Sequence, residues 1–104
     1  MTNSSVVNSP KIYKAPKFDL NRFVKDLLKN PDSERQRQLL SQQVDLLDKQ
    51  NRDQLAEDLK AEADHQWRVN IKKCFHMGQL LDEMAYVTGD KIYHALSLRV
   101  MGNA

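Results

Sequence analysis

The chain holds only three glycines and three prolines in 104 residues. A turn-rich β sandwich or barrel needs more of both, so their scarcity points to long uninterrupted helices. A single cysteine, Cys74, has no partner for an internal disulfide, which excludes an oxidised scaffold. No stretch approaches the roughly 18 apolar residues that a bilayer span requires. The opening segment, MTNSSVVNSPKIYK, lacks the basic run followed by an apolar run of a secretory signal. The expected setting is the cytoplasm or a soluble macromolecular assembly. Gly78, Gly89 and Gly102 stand isolated, so no glycine-rich phosphate loop exists.

Charge is nearly balanced but unevenly placed. The net charge is +2, yet residues 1–30 carry six basic and two acidic groups, residues 31–64 five and nine, and residues 65–104 five and three. A basic start and an acidic middle suit charge-guided docking between protein surfaces. A dedicated nucleic-acid binder shows a stronger basic cluster, with a pI above about 9, against 8.7 here.

Residues 1–17 read as an extended basic tail, followed by a single α-helical domain over 18–104. Pro10 and Pro16 disfavour helix at Ser9 and Ala15. The lysines at 11, 14 and 17 alternate with the apolar handles Ile12 and Tyr13, which suits a docking peptide that orders on a partner.

Helical periodicity starts after Asp19, a favoured N-cap, with Leu20, Phe23, Val24, Leu27 and Leu28 on one face. Phe18 and Phe23 are placed to form a hydrophobic staple. Asn30-Pro31 should end this helix. Asp32 or Ser33 restarts it, and Leu39, Leu40, Val44, Leu46 and Leu47 supply its apolar face. The polar run DKQNRDQ, residues 48–54, is expected to bend or break the helix, with a fresh cap at Asn51. From Leu55 onward, apolar residues recur every three or four positions without a proline, which predicts one long helix over about 53–87. Thr88-Gly89 stops it, Asp90 caps a final helix, and Ile92 and Leu96 are expected to face inward. The class is therefore all-α, with three to four helices in an extended hairpin or small bundle.

Chemistry-bearing clusters are thin. Cys74 and His76 lie two apart on a helix and point away from each other, so they do not form a metal pair. Cys74 falls on the apolar stripe, where inert thiols sit. The carboxylates Glu57, Asp58, Glu62, Asp64, Asp82 and Glu83 fit solvated helical faces. No enzyme activity, metal or cofactor is expected.

The leading functional expectation is a non-catalytic helical interaction or assembly subunit, such as an adaptor or small chaperone. It would bind another protein or a second copy of itself. Lys11, Ile12, Tyr13, Lys14 and Lys17 of the tail, with Trp67, Phe75 and Leu81 of the long helix, are the candidate contacts. Tryptophan is the residue type most enriched at such anchors. The alternative is a helix-turn-helix DNA binder over residues 78–100, reading bases with Lys91, Tyr93, His94, Ser97 and Arg99. That set is poor in the Arg, Asn and Gln side chains that recognise base edges.

Overall fold

In the computed structural model, which describes residues 18–103, five helices follow one another: α1 (Leu20–Lys29), α2 (Ser33–Leu46), α3 (Lys49–Gln66), α4 (Ile71–Thr88) and α5 (Lys91–Asn103). The all-helical class agrees with the sequence reading, and the described residues contain no strand. The count of three to four helices does not hold. Residues 1–17, and with them the expected tail, lie outside the described residues.

Short polar side chains start every helix. Asp19 accepts from the Arg22 N–H at 3.1 Å, and Asp32 accepts from Glu34 and Arg35. Asp48 accepts from Asn51 at 2.9 Å, Asn70 from Lys73 at 3.2 Å and Asp90 from Ile92 at 2.8 Å. Each carboxylate or amide satisfies an N–H that the first helical turn leaves without a carbonyl. Phe18 and Phe23 pack with ring centroids 5.9 Å apart, forming the staple beside the Asp19 cap. At the far end of α4, Gly89 takes the left-handed φ of 71°, and its N–H returns to the Ala85 carbonyl at 2.7 Å.

Two expected boundaries move. The polar run 48–54 does interrupt the chain, but the break falls at Leu47 and Asp48 is the cap; Lys49 to Gln54 are already helical. The long helix over 53–87 is two helices. Trp67 to Val69 close a turn in which the Val69 and Asn70 N–H groups both return to the Gln66 carbonyl. Asn70 then adopts an extended conformation and caps α4. Neither proline nor glycine makes this corner. A straight rod of this length would leave one apolar stripe facing water, whereas folding α4 back onto α3 buries both stripes.

The resulting core centres on α4, which packs against α2, α3 and α5. It buries Cys74, Met77, Gly78, Leu80, Leu81 and Met84. Against them lie Leu40 and Val44 of α2, Leu55, Leu59 and Ala63 of α3, and Tyr93 and Val100 of α5. Gly78 permits the close approach of α5, because a Cβ there would collide with the Met101 side chain and stand 3.2 Å from Val100.

Polar ties fix the ends of these helices. The Arg52 side chain donates to the Val44 carbonyl at 3.0 Å, fastening the end of α2 to α3. The Tyr93 hydroxyl donates to Asp53 at 2.6 Å. Lys49 pairs with that same carboxylate at 2.8 Å, and its ammonium stands 5.8 Å from the Tyr93 ring centroid.

One buried group is left over. The Ser97 hydroxyl is fully buried on α5 and has no hydrogen-bond partner among the described residues. A hydroxyl desolvated without a partner opposes folding. Ser97→Ala is therefore expected to leave the unfolding free energy unchanged or to raise it by up to about 1 kcal/mol, since alanine is also the better helix former. Urea titration of both proteins measures this, and a loss of stability would show that the hydroxyl has a partner after all.

Candidate partner-docking surface

The corner between α3 and α4 gathers large apolar side chains that the core does not cover. Trp67 is 43% exposed, Val69 73%, Ile71 47% and Phe75 43%. Trp67 and Val69 occupy the turn itself, and Ile71 and Phe75 stand one helical turn apart on the outer side of α4. A groove of about 330 Å³ opens beside Trp67, lined also by Ala63, Asp64, Cys74 and Val100. The Arg68 guanidinium lies 5.2 Å from the Trp67 ring centroid, a cation–π placement that helps orient the indole.

The groove floor is chemically quiet. Burial, reinforced by the negative charge of Asp64, pushes the Cys74 thiol above its ordinary pKa, so it stays protonated. On the other side of the corner, a polar cleft of about 470 Å³ runs between α4 and the α1–α2 turn. There the Gln36 amide donates to the Asn30 carbonyl, and its oxygen meets the His76 ring. This bridge pins the start of α2 to α4. Among the described residues, no three His, Cys, Asp or Glu side chains converge as a metal ion would need. No helix of the described residues is long and apolar enough to cross a membrane.

The sequence-based contacts divide on placement. Trp67, in the turn, and Phe75, in the first turns of α4, are both half-exposed. Leu81 does not join them: it is fully buried, on the side of α4 that faces the core, and so offers nothing to a partner. The period of 3.6 residues puts position 81 on the same side as Cys74 and well away from Phe75. Lys11, Ile12, Tyr13, Lys14 and Lys17 lie outside the described residues.

The base-reading set is split as well. Lys91, His94 and Arg99 are exposed, with His94 Nδ1 3.3 Å from an Asp82 carboxylate oxygen. Tyr93 and Ser97 are buried at 1% and 0% exposure and belong to the inward face of α5. The solvent side of that helix instead presents Ile92 and Leu98, at 62% and 55%. Ile92 therefore faces outward, against expectation, while Leu96 packs against the core.

Val69 and Ile71 were not distinguished by sequence reasoning. Their exposure follows from the turn at 67–70, whose signal in the sequence is Asn70, a strong N-cap type inside an otherwise unbroken helical pattern. No family model, curated protein or solved structure matches this chain.

Proposed function

We propose that this chain is a non-catalytic helical interaction subunit that docks a protein partner on the α3–α4 corner. The observation that supports this reading is that Trp67, Val69, Ile71 and Phe75, close together in the chain at the α3–α4 corner, are all substantially exposed, with a groove opening at Trp67. Contiguous exposed apolar side chains of this size mark binding surfaces more often than they tile a free surface. An aromatic pair beside a groove matches the anchors that dominate binding energy. Arg68, Lys72 and Lys73 border the corner. The partner that fits is therefore a protein segment bearing apolar side chains flanked by carboxylates. The basic tail, with Ile12 and Tyr13 among its lysines, is a second docking element of the same kind with the opposite charge preference.

The test uses the full chain carrying Ile71→Ser and Phe75→Ser. In an extract of its source cells, the unaltered chain is expected to sediment well above its 12.1 kDa, and the variant to sediment near it. Loss of a hot-spot aromatic corresponds to roughly 2 kcal/mol, or about 30-fold in affinity. Unchanged far-UV circular dichroism guards against unfolding. A chain that is monomeric in that extract, or a variant that assembles as well as the original, overturns the reading.

A further inference from the structure

The polar cleft on the far side of the corner collects positive charge from two separate helices. Lys72 and Lys73 stand in the first turn of α4, and Lys29 ends α1 on the opposite wall. Helical spacing puts Lys72 one turn before His76 and Lys73 one turn before Met77, so all four share the cleft side of α4. The three lysines are exposed, and among the described residues none of them forms an ion pair. One carboxylate, Glu62 of α3, also lines the cleft and accepts from the Gln66 amide at 2.8 Å. Three ammonium groups against one carboxylate leave a local charge of +2, His76 set aside.

The cleft is braced from beneath. Gln36 is 6% exposed; its amide donates to the Asn30 carbonyl and its oxygen meets His76 Nε2. A buried amide tied at both ends fastens the α1–α2 turn to α4 and holds the two walls in one arrangement. The volume of about 470 Å³ lies within the range of small-molecule sites. Leu28, Pro31 and Met77 supply apolar wall, and Ser33, Gln66 and Asn70 supply hydroxyl and amide groups. Among the described residues no arginine lines the cleft. The planar fork that selects carboxylates is therefore missing, whereas ammonium groups act as point charges suited to a phosphoryl group.

We propose that this cleft binds a small phosphate monoester. Such a group carries a charge of about −1.5 to −2 at neutral pH, which matches the local balance, where a monocarboxylate would answer only half of it. Lys29, Lys72 and Lys73 hold the phosphoryl oxygens through charge-assisted hydrogen bonds. Glu62 repels those oxygens and accepts from hydroxyl groups, so it orients the ester with its alcohol portion toward α3. The site does not depend on the docking reading, although Lys72 and Lys73 border both features.

Isothermal titration calorimetry of the full chain, at neutral pH and fixed ionic strength, tests this with ribose 5-phosphate, inorganic phosphate, ribose and acetate. Ribose 5-phosphate is expected to bind saturably at one site per chain, inorganic phosphate more weakly, and ribose and acetate not at all. Lys29→Gln and Lys72→Gln/Lys73→Gln should weaken the ester by roughly tenfold for each lysine removed. All three side chains are exposed, so circular dichroism should stay unchanged. Glu62→Gln should strengthen inorganic phosphate and erase the advantage of the sugar ester. Lys91→Gln removes an exposed lysine outside the cleft and should bind as the unaltered chain does. The proposal is overturned if neither phosphate binds saturably, if acetate binds as tightly as phosphate, or if ribose 5-phosphate gains nothing over inorganic phosphate. An equal loss in Lys91→Gln would reduce the effect to general charge and overturn it too. Lys29, on α1, keeps the two readings apart. Lys29→Gln should lower affinity for the ester while the partner complex persists, so a failed titration leaves the corner standing and a failed complex leaves the cleft.

Discussion

Replacing Leu81 with alanine is expected to lower the unfolding free energy by about 2–5 kcal/mol, the range for truncating a fully buried leucine. Leu81 has no solvent exposure and stands on α4, the helix that α2, α3 and α5 all pack against. Four helices converge there, so no single neighbour can move in to fill the space without giving up contacts elsewhere. The loss combines the missing transfer free energy with the residual cavity. For a domain of this size, it corresponds to a fall of roughly 10 °C or more in Tm. Phe75, six residues earlier and about a third of a turn around α4, is the matched control. Being 43% exposed, it should cost much less stability as alanine, and, on the proposed docking role, its loss should weaken partner binding where that of Leu81 acts through the fold. Thermal and urea unfolding of the two single variants measure the contrast. Equal losses would mean that α4 is rotated from the orientation described.

The second large effect concerns Tyr93. Truncation to alanine is expected to cost about 3–5 kcal/mol, as for other buried aromatic residues, because the ring is 1% exposed between α3 and α4. Tyr93→Phe keeps the ring and removes only the hydroxyl that donates to Asp53 at 2.6 Å. Its cost should be about 1 kcal/mol, that of one hydrogen bond, and should depend on pH. The hydrogen bonds from Lys49 and Tyr93 hold the Asp53 carboxyl below the usual carboxylate range. A carboxyl with a depressed folded pKa stabilises the fold above its unfolded pKa, near 3.9, and loses that contribution as pH falls through the folded value.

Tyr93 behaves in the opposite sense. Burial first, then its bond to Asp53, pushes the phenol well above its ordinary pKa. Its contribution is complete below about pH 10 and is lost as the pH rises towards the folded value. The unaltered protein should therefore show a stability plateau from about pH 4 to 10, and Tyr93→Phe should lie below it there and converge with it at the acid end. Urea unfolding across that range tests the tie. A constant offset down to pH 2 would show that Asp53 is not the partner that matters.

These two residues also show where sequence reasoning stopped. Leu81 and Tyr93 were both assigned to outer surfaces, and both belong to the core. Leu81 lay on a long apolar stripe, and a stripe treated as one continuous helix has no defined inside until its partner helices are known. Tyr93 was chosen for its polar tip in a helix whose inward face had been assigned to Ile92. The structure turns α5 so that Tyr93, Ser97 and Val100 face inward, because Gly78 lets the α5 backbone approach α4 on that side. That choice depends on a contact between residues more than twenty positions apart, which local periodicity does not encode.

Local chemistry was legible wherever a feature depends on near neighbours in the chain. Asp19 as a cap, the Phe18–Phe23 staple, the stop at Asn30-Pro31 and the left-handed Gly89 all follow from backbone sterics and hydrogen-bond supply within a few residues. The amino-acid sequence by itself determined the all-helical class and the uneven charge. The tertiary structure alone decided that the chain folds back at Trp67–Asn70, and hence that Trp67, Val69, Ile71 and Phe75 share one exposed corner. The reason is physical. An asparagine permits a helix break without requiring one, and only the burial of α4 against α2, α3 and α5 makes the break the lower-energy arrangement.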